Sequence, residues 1–274
     1  MLELAIEVAR NTQTVMVAGI CGDTEQATSE AKLAADLGYH CGLVSLGPLG
    51  SACIPELIGH VRAVADVLPV FGFYLQPMAG GRVLPVEFWR EFVGLERVVA
   101  VKVAPFDRYR TLDVVRAVAE GGRAGEIALY TGNDDHILLD LLTPTVVNGQ
   151  ELRFCGGLLG QWAIWTSCAV ELLERVRSVV RSCAAIPVEM LVLAQQITDA
   201  NSAIFDAHNG FRGAIAGINE VLRQQGLMSG RWCLNPEEDL SPGQQEEIAR
   251  VRRAYPHLLD DAFVRANLDG WMRP

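Results

Sequence analysis

The chain has 274 residues, 50% hydrophobic and 20% charged, so it can bury a sizeable core and global disorder is excluded. Its 23 basic against 33 acidic residues give a formal charge of -10, the wrong sign for a general nucleic-acid binder. No apolar run approaches the roughly 20 residues that span a bilayer, and Met1-Leu-Glu-Leu-Ala-Ile-Glu has acids where a signal peptide needs bases; the expectation is a soluble cytoplasmic protein with neither nucleic-acid nor membrane partners.

In chain order, Met1–Arg10 reads as a helix and Thr14–Ile20 as a first short apolar strand. Thr24–Leu37 is a helix with Thr24 as its cap and Gly38 as its stop. The second strand is Cys41–Leu46; the helix over Pro55–Val67 puts Leu57, Ile58, Val61, Val64 and Ala65 on one stripe. The third strand, Pro69–Leu75, precedes a helix at Pro85–Val93, whose proline suits a first turn. The fourth, Val98–Val103, precedes a helix at Thr111–Ala119 that stops at Gly121-Gly122. The fifth and sixth strands are Glu126–Thr131 and Arg153–Leu158. A long helix, Trp162–Arg181, follows. Beyond Pro187 only helical patterns remain: Val188–Ile197, Phe211–Gln225, Pro242–Ala254 and Asp260–Leu268.

Val17, Val44, Phe71, Ala100, Ala128 and Cys155 mark the strand centres, spaced by 27, 27, 29, 28 and 27 residues. Strand, helix, strand at a near-constant step is the signature of βα units around a parallel sheet, and a (β/α)8 barrel uses roughly 31 residues per unit. A doubly wound sheet is the rival, but Gly19-Ile-Cys-Gly22 does not complete the GxGxxG of a dinucleotide fold. Six strands are found, and the chain opens on a helix. The expected fold is α/β: a (β/α)8 TIM-type barrel over residues 1–181, incomplete at its N-terminus by two units, with a C-terminal helical extension over 182–274. Such a barrel leaves strand edges at Thr14–Ile20 and Arg153–Leu158, so truncation or closure by a partner chain is expected.

Cys21, Cys41, Cys53, Cys155, Cys168, Cys183 and Cys233 form no CxxC pair, which argues against metal knuckles and a disulfide framework; most are expected to be small buried hydrophobes. Lys102 stands in Val98-Val-Ala-Val-Lys-Val-Ala-Pro105, the most apolar strand. Burial lowers a lysine pKa, and only the free amine attacks a carbonyl, so Lys102 is a candidate imine-forming nucleophile; a snorkelling or ion-paired lysine at a strand end is the alternative. Tyr74 lies 28 residues earlier, one βα unit upstream, and is a candidate proton relay pointing into the same cavity, or else a core aromatic with a satisfied hydroxyl.

Tyr74-x-x-Pro77, then Val98-Val-Ala-Val-Lys102, then Tyr130-Thr-Gly-Asn-Asp134 together resemble the dihydrodipicolinate synthase and N-acetylneuraminate lyase family of class I aldolase-type enzymes. That family's pattern is a Tyr-Asn-x-Pro strand end, a Gly-Ile-Lys strand and a Ser-Gly-Asp-Asp strand end, on a (β/α)8 barrel with a helical tail. The resemblance implies a lyase acting on pyruvate or another 2-oxo acid, Lys102 as the Schiff-base lysine, Tyr74 as the proton shuttle, no metal and no cofactor, and a homo-oligomer, dimer or tetramer. It places Gly132, Asn133 and Asp134 at the substrate. Gly47-Pro-Leu-Gly50 stands where the family has Pro-Tyr-Tyr, and Ala79 where it has arginine, with Arg82 as the nearby substitute. The family's Gly-Thr-Thr-Gly-Glu loop is not found.

Two further features admit two readings each. Asn133-Asp134-Asp135-His136 is a hard-metal or hydroxyl-binding site, or a turn into a helix. Gly156–Gly160, with Gly156 and Gly157 at its start, is a phosphate cradle or a tight strand-to-helix passage. Trp162 and Trp165 suit a helix surface between subunits, and Asp206-Ala-His208 reads as loop chemistry. Two rival functions follow: a barrel enzyme holding a phosphorylated substrate, with Lys102 as a clamp, or a non-catalytic barrel used for binding and assembly.

Overall fold

The computed structural model describes residues 1–158, 160–182 and 185–273. Its contacts gather into two compact units, Met1–Gly132 with Pro144–Cys155, and Asn133–Thr143 with Gly156–Pro274. This partition differs from the expected one at residues 181 and 182, because the segment after the fifth strand and the long helix that follows the sixth both pack with the tail.

The first unit begins with α1 (Leu2–Ala9) and continues through β1 (Val17–Ile20), α2 (Thr24–Leu37), β2 (Cys41–Val44), α3 (Ile54–Ala65), β3 (Val70–Leu75), α4 (Val86–Val93), β4 (Val98–Ala104), α5 (Arg108–Glu120) and β5 (Ala128–Thr131). An antiparallel hairpin, β6 (Thr145–Val147) and β7 (Gln150–Leu152), leads to β8 (Phe154–Gly157). The sheet runs β1-β2-β3-β4-β5-β8, and each pairing from β1 to β5 is parallel. Neighbours in the sheet follow chain order without reversal, as barrel-type βα repeats require and a doubly wound sheet does not.

Helices α2 to α5 cover one face of this sheet. Ala27, Ala31 and Ala34 are the buried residues of α2, small enough to let it lie close on the strands. Its cap is Asp23, one residue before the expected Thr24: the Asp23 carboxylate accepts from the Gln26 N–H at 2.9 Å. Gly38 ends the helix in the left-handed region at φ +90°, where a Cβ would be strained. On α4, Phe88, Trp89, Phe92 and Val93 form the buried stripe. Arg123 donates to the carbonyls of Val93, Leu95, Glu96 and Val98, which supplies partners for the end of α4 and the turn into β4. The hairpin was not expected, yet Asn148-Gly149 at φ +51° and +79° is the two-residue turn that such hairpins favour.

The second unit comprises α6 (Ile137–Leu142), α7 (Thr166–Arg181), α8 (Val188–Ile204), α9 (Ala214–Gln224), α10 (Gln244–Ala254) and α11 (Asp261–Trp271). Helix α8 packs on α6, α9 and α10, and buries Met190, Ala194, Ile197, Ala200, Ala203 and Ile204. Helix α8 runs seven residues past the expected Ile197 because its apolar spacing continues to Ile204. Polar closures hold the loops. Buried Asp206 accepts from Gly213 N–H at 3.0 Å and Asn209 Nδ2 at 2.7 Å, and Gln244 Nε2 donates to the carbonyls of Ile204 and Gly213. Asp199 receives a two-pronged Arg250 at 2.8 Å on each oxygen, with Tyr255 donating to one of them. Among the described residues, no helix is long and apolar enough to cross a membrane.

The cysteines depart from expectation. Only Cys41 is buried among the described residues; Cys21, Cys53 and Cys155 are exposed, and Cys168 and Cys233 are intermediate. Exposed positions on strand ends and caps, such as Cys53 before α3, account for this. Cys183 lies outside the described residues.

Candidate active site

Lys102 lies on the sheet face opposite the helices. Its register partners are Phe73 on β3 and Tyr130 on β5, so these three side chains share one row across three strands. The Lys102 Nζ stands 4.5 Å from the centroid of the Phe73 ring. Below this row, buried Cys41, Phe71 and Ala100 pack with Leu43, Ala128 and Tyr130. The Phe71 and Tyr130 ring centroids are 5.3 Å apart. Lys102, Phe73 and Tyr130 are each half-buried, on an otherwise apolar face. The strand's β-branched residues fold into this sheet, and alternation alone brings the lysine to this side.

Tyr74 is not on that face, which corrects its expected role. Its register partner is Val103, and its ring packs 5.2 Å from Trp89 of α4. Gly72 shares its side: a Cβ there would lie 2.5 Å from the Phe92 ring of α4. The Tyr74 hydroxyl donates to Leu84 O at 3.2 Å and accepts from Leu84 N–H at 3.3 Å. The residue is fully buried, and burial pushes its phenol above the ordinary tyrosine value. The alternative reading, a core aromatic with a satisfied hydroxyl, is the observed one.

The cause is a single irregularity. Val70 pairs with Val98, 28 residues on, but Phe71 pairs with Ala100, 29 residues on, because the register shifts between Val70 and Phe71. Continued at 28, the pairing would have set Tyr74 beside Lys102. One residue of slip exchanges the two faces, so Phe73 takes that place. Spacing alone does not single out Phe73 or Tyr130; the pairing register is what sets both beside Lys102.

Arg82 is engaged in structure. Nη1 donates to Leu49 O and Nη2 to Ala52 O at 3.0 Å, which ties the loop after β3 to the turn after β2. The carbonyls, not an open substrate subsite, receive its fork. Gly132 N–H continues the sheet by donating to Val103 O at 2.8 Å. Beyond β4, Phe106 stands at φ +52°, a strained conformation for an aromatic residue at a strand end.

The other expected groups lie in the second unit. Asn133 donates to buried Asp140 at 3.0 Å, and the carbonyls of Asp134 and Asp135 accept from Asn201 and Thr198. Asn133–His136 is thus a turn into α6, with His136 rather than an aspartate at the cap. No group of three or more His, Cys, Asp or Glu side chains converges to hold a metal among the described residues. Gly156 and Gly157 are the last residues of β8. A Cβ on Gly157 would lie 2.8 Å from Ile137 and 3.0 Å from Trp162, a tight passage with no visible room for a phosphate at that residue. Leu159, inside the expected loop, lies outside the described residues.

No family model matches the chain. Over 140 residues it is 31% identical to 4-hydroxy-tetrahydrodipicolinate synthase of Exiguobacterium sp. (strain ATCC BAA-1283 / AT1b), a match covering 50% of this chain and 46% of that protein. The chain thus spans about half the length of the relative it matches. Among solved structures, dihydrodipicolinate synthase from Oceanobacillus iheyensis superposes with a TM-score of 0.69 at 19% identity, covering 93% of this chain and 77% of that one. N-acetylneuraminate lyase from Fusobacterium nucleatum, a complex with pyruvate, gives 0.67 at 18% identity, covering 93% and 77%. These two establish the fold, an α/β barrel type with a helical extension. The chain is thus similar in sequence, over half its length, to a 4-hydroxy-tetrahydrodipicolinate synthase, and similar in fold, over nearly all of it, to dihydrodipicolinate synthase and N-acetylneuraminate lyase structures.

Proposed function

We propose that the chain is a Schiff-base lyase or aldolase acting on pyruvate or another 2-oxo acid, with Lys102 as the imine-forming residue. The placement of Lys102 carries this reading: a half-buried lysine on the sheet face opposite α2 to α5, late in its strand, in a chain similar over half its length to a 4-hydroxy-tetrahydrodipicolinate synthase. The neutral amine adds to the oxo carbon and the carbinolamine loses water. The resulting iminium then accepts the electron pair of the C–H or C–C bond breaking at the adjacent carbon. The Phe73 ring face, 4.5 Å from Nζ, stabilises a cation there, ammonium and iminium alike.

With Tyr74 on the outer face, Tyr130 is the phenol that shares the lysine's row, and we assign the proton transfer to it. No metal or cofactor has a part in this scheme. A homo-oligomer in the cytoplasm is the matching expectation, to be checked by light scattering and fractionation.

Borohydride trapping with pyruvate tests the proposal. A reduced adduct should form on Lys102 and vanish in Lys102→Ala. Tyr130→Phe should keep the adduct and slow turnover by a factor on the order of 10²–10⁴. No adduct with any 2-oxo acid tried, or turnover surviving Lys102→Ala, would end the imine reading and favour a binding module.

A further inference from the structure

A cavity of about 250 Å3 lies wholly inside the helical unit, away from Lys102 in the chain and independent of its chemistry. Trp162 comes from the turn Gly160–Ala163, Trp165 from the cap of α7, and Leu193 and Ile197 from α8. Trp165 carries two unusual features. It caps α7 in the left-handed region, at φ +49° and ψ +37°, a conformation that bulky residues hold only where the surroundings enforce it. It is also 2% exposed, and its buried indole N–H has no acceptor among the described residues. The nitrogen is closed off from the cavity as well as from solvent, so the strained, buried Trp165 ring is a fixed apolar part of the wall.

The rim is charged. Glu171 and Arg175 stand four residues apart on α7, and both line the cavity. The neighbouring Arg177 is committed to Glu174, whereas Arg175 makes no ion pair among the described residues. His257 also reaches the rim, its Nε2 2.8 Å from Gln196 Oε1. One guanidinium over an aromatic and aliphatic wall suits one negative charge; a second would meet Glu171.

We propose that this cavity binds a small monocarboxylate with an apolar body, aromatic or branched aliphatic. The hydrocarbon packs on Trp162, Trp165, Leu193 and Ile197, and the carboxylate takes the Arg175 fork. Glu171 opposes the anion and keeps binding weak enough to be reversible.

Calorimetric titration of the full chain with phenylacetate, 3-methylbutanoate and, as a neutral control, phenylacetamide tests this, with tryptophan fluorescence as a second readout. Saturable binding of both acids is expected, with the amide weaker by about tenfold, the effect of one charge-assisted pair. Arg175→Gln, at an exposed position, should weaken the acids by a similar factor and leave the amide unchanged, and Arg175→Lys should recover part of the loss. Glu171→Gln should tighten the acids. Absence of saturable binding, equal affinity of acid and amide, or acid affinity unchanged in Arg175→Gln would overturn the proposal. So would a loss of affinity in Glu171→Gln, which would mark a zwitterion as the occupant.

Discussion

Replacing Tyr74 by phenylalanine separates a structural tyrosine from a catalytic one. The substitution removes one oxygen and keeps the ring against Trp89. That oxygen donates to Leu84 O at 3.2 Å and accepts from Leu84 N–H at 3.3 Å, and both residues are buried. Without it, the Leu84 amide and carbonyl lose their partner in a place water does not reach. An unsatisfied buried polar group costs about 1–3 kcal/mol, and the two bonds are long, so the expected loss for the pair is about 1–3 kcal/mol in total. For chains of roughly 150–250 residues each kcal/mol corresponds to about 2–4 °C in Tm, a shift calorimetry resolves. Urea unfolding followed by circular dichroism should show a lower midpoint at unchanged slope. Adduct formation at Lys102 should proceed as in the parent chain. A proton-shuttling tyrosine predicts the reverse: intact stability and turnover reduced on the order of 10²–10⁴-fold. That outcome would refute the register argument and return Tyr74 to the lysine's face.

Gly72→Ala tests the same register from the other side. Its Cβ would fall 2.5 and 2.8 Å from ring atoms of buried Phe92, so a destabilisation of about 1–3 kcal/mol from overpacking is expected in urea unfolding, and a neutral effect would place Gly72 on the open face. In the helical unit, hydrogen bonds from Arg223 hold the fully buried Glu220 carboxyl below the usual glutamate range, with Gln224 and the Arg231 charge adding to the effect. A depressed folded pKa contributes stability above the unfolded value of about 4.3, and that stability is lost as pH falls through the folded value. The unfolding free-energy difference between the parent and Glu220→Gln should therefore be constant near neutrality and shrink in acid; a difference that grows on acidification would contradict the pairing.

Much of the barrel was legible in the sequence because its causes are local. Apolar runs of β-branched residues, proline at Pro55 and Pro85 and the Gly38 stop act within a few residues, so strands and helices emerged within a turn or two of their observed ends. The Asn148-Gly149 turn is equally local, a two-residue hairpin signal that lies off the 28-residue step of the βα units. Lys102 could be singled out since a lysine in so apolar a strand needs a reason wherever the strand lies. Its neighbours could not be chosen that way. Strand spacing counts residues along the chain, whereas facing depends on how two strands pair, and one shift between Val70 and Phe71 put Phe73 beside the amine and Tyr74 against α4. The same limit applies to Arg82, whose carbonyl partners at Leu49 and Ala52 lie about a βα unit away, and to the cavity of the helical unit. Trp162, Ile197 and His257 are far apart in sequence, and only the packing of α7 and α8 with the turn at Pro256 makes them one surface. Local propensity is written into each segment; which side chains meet is decided by the long-range register and packing that no single segment contains.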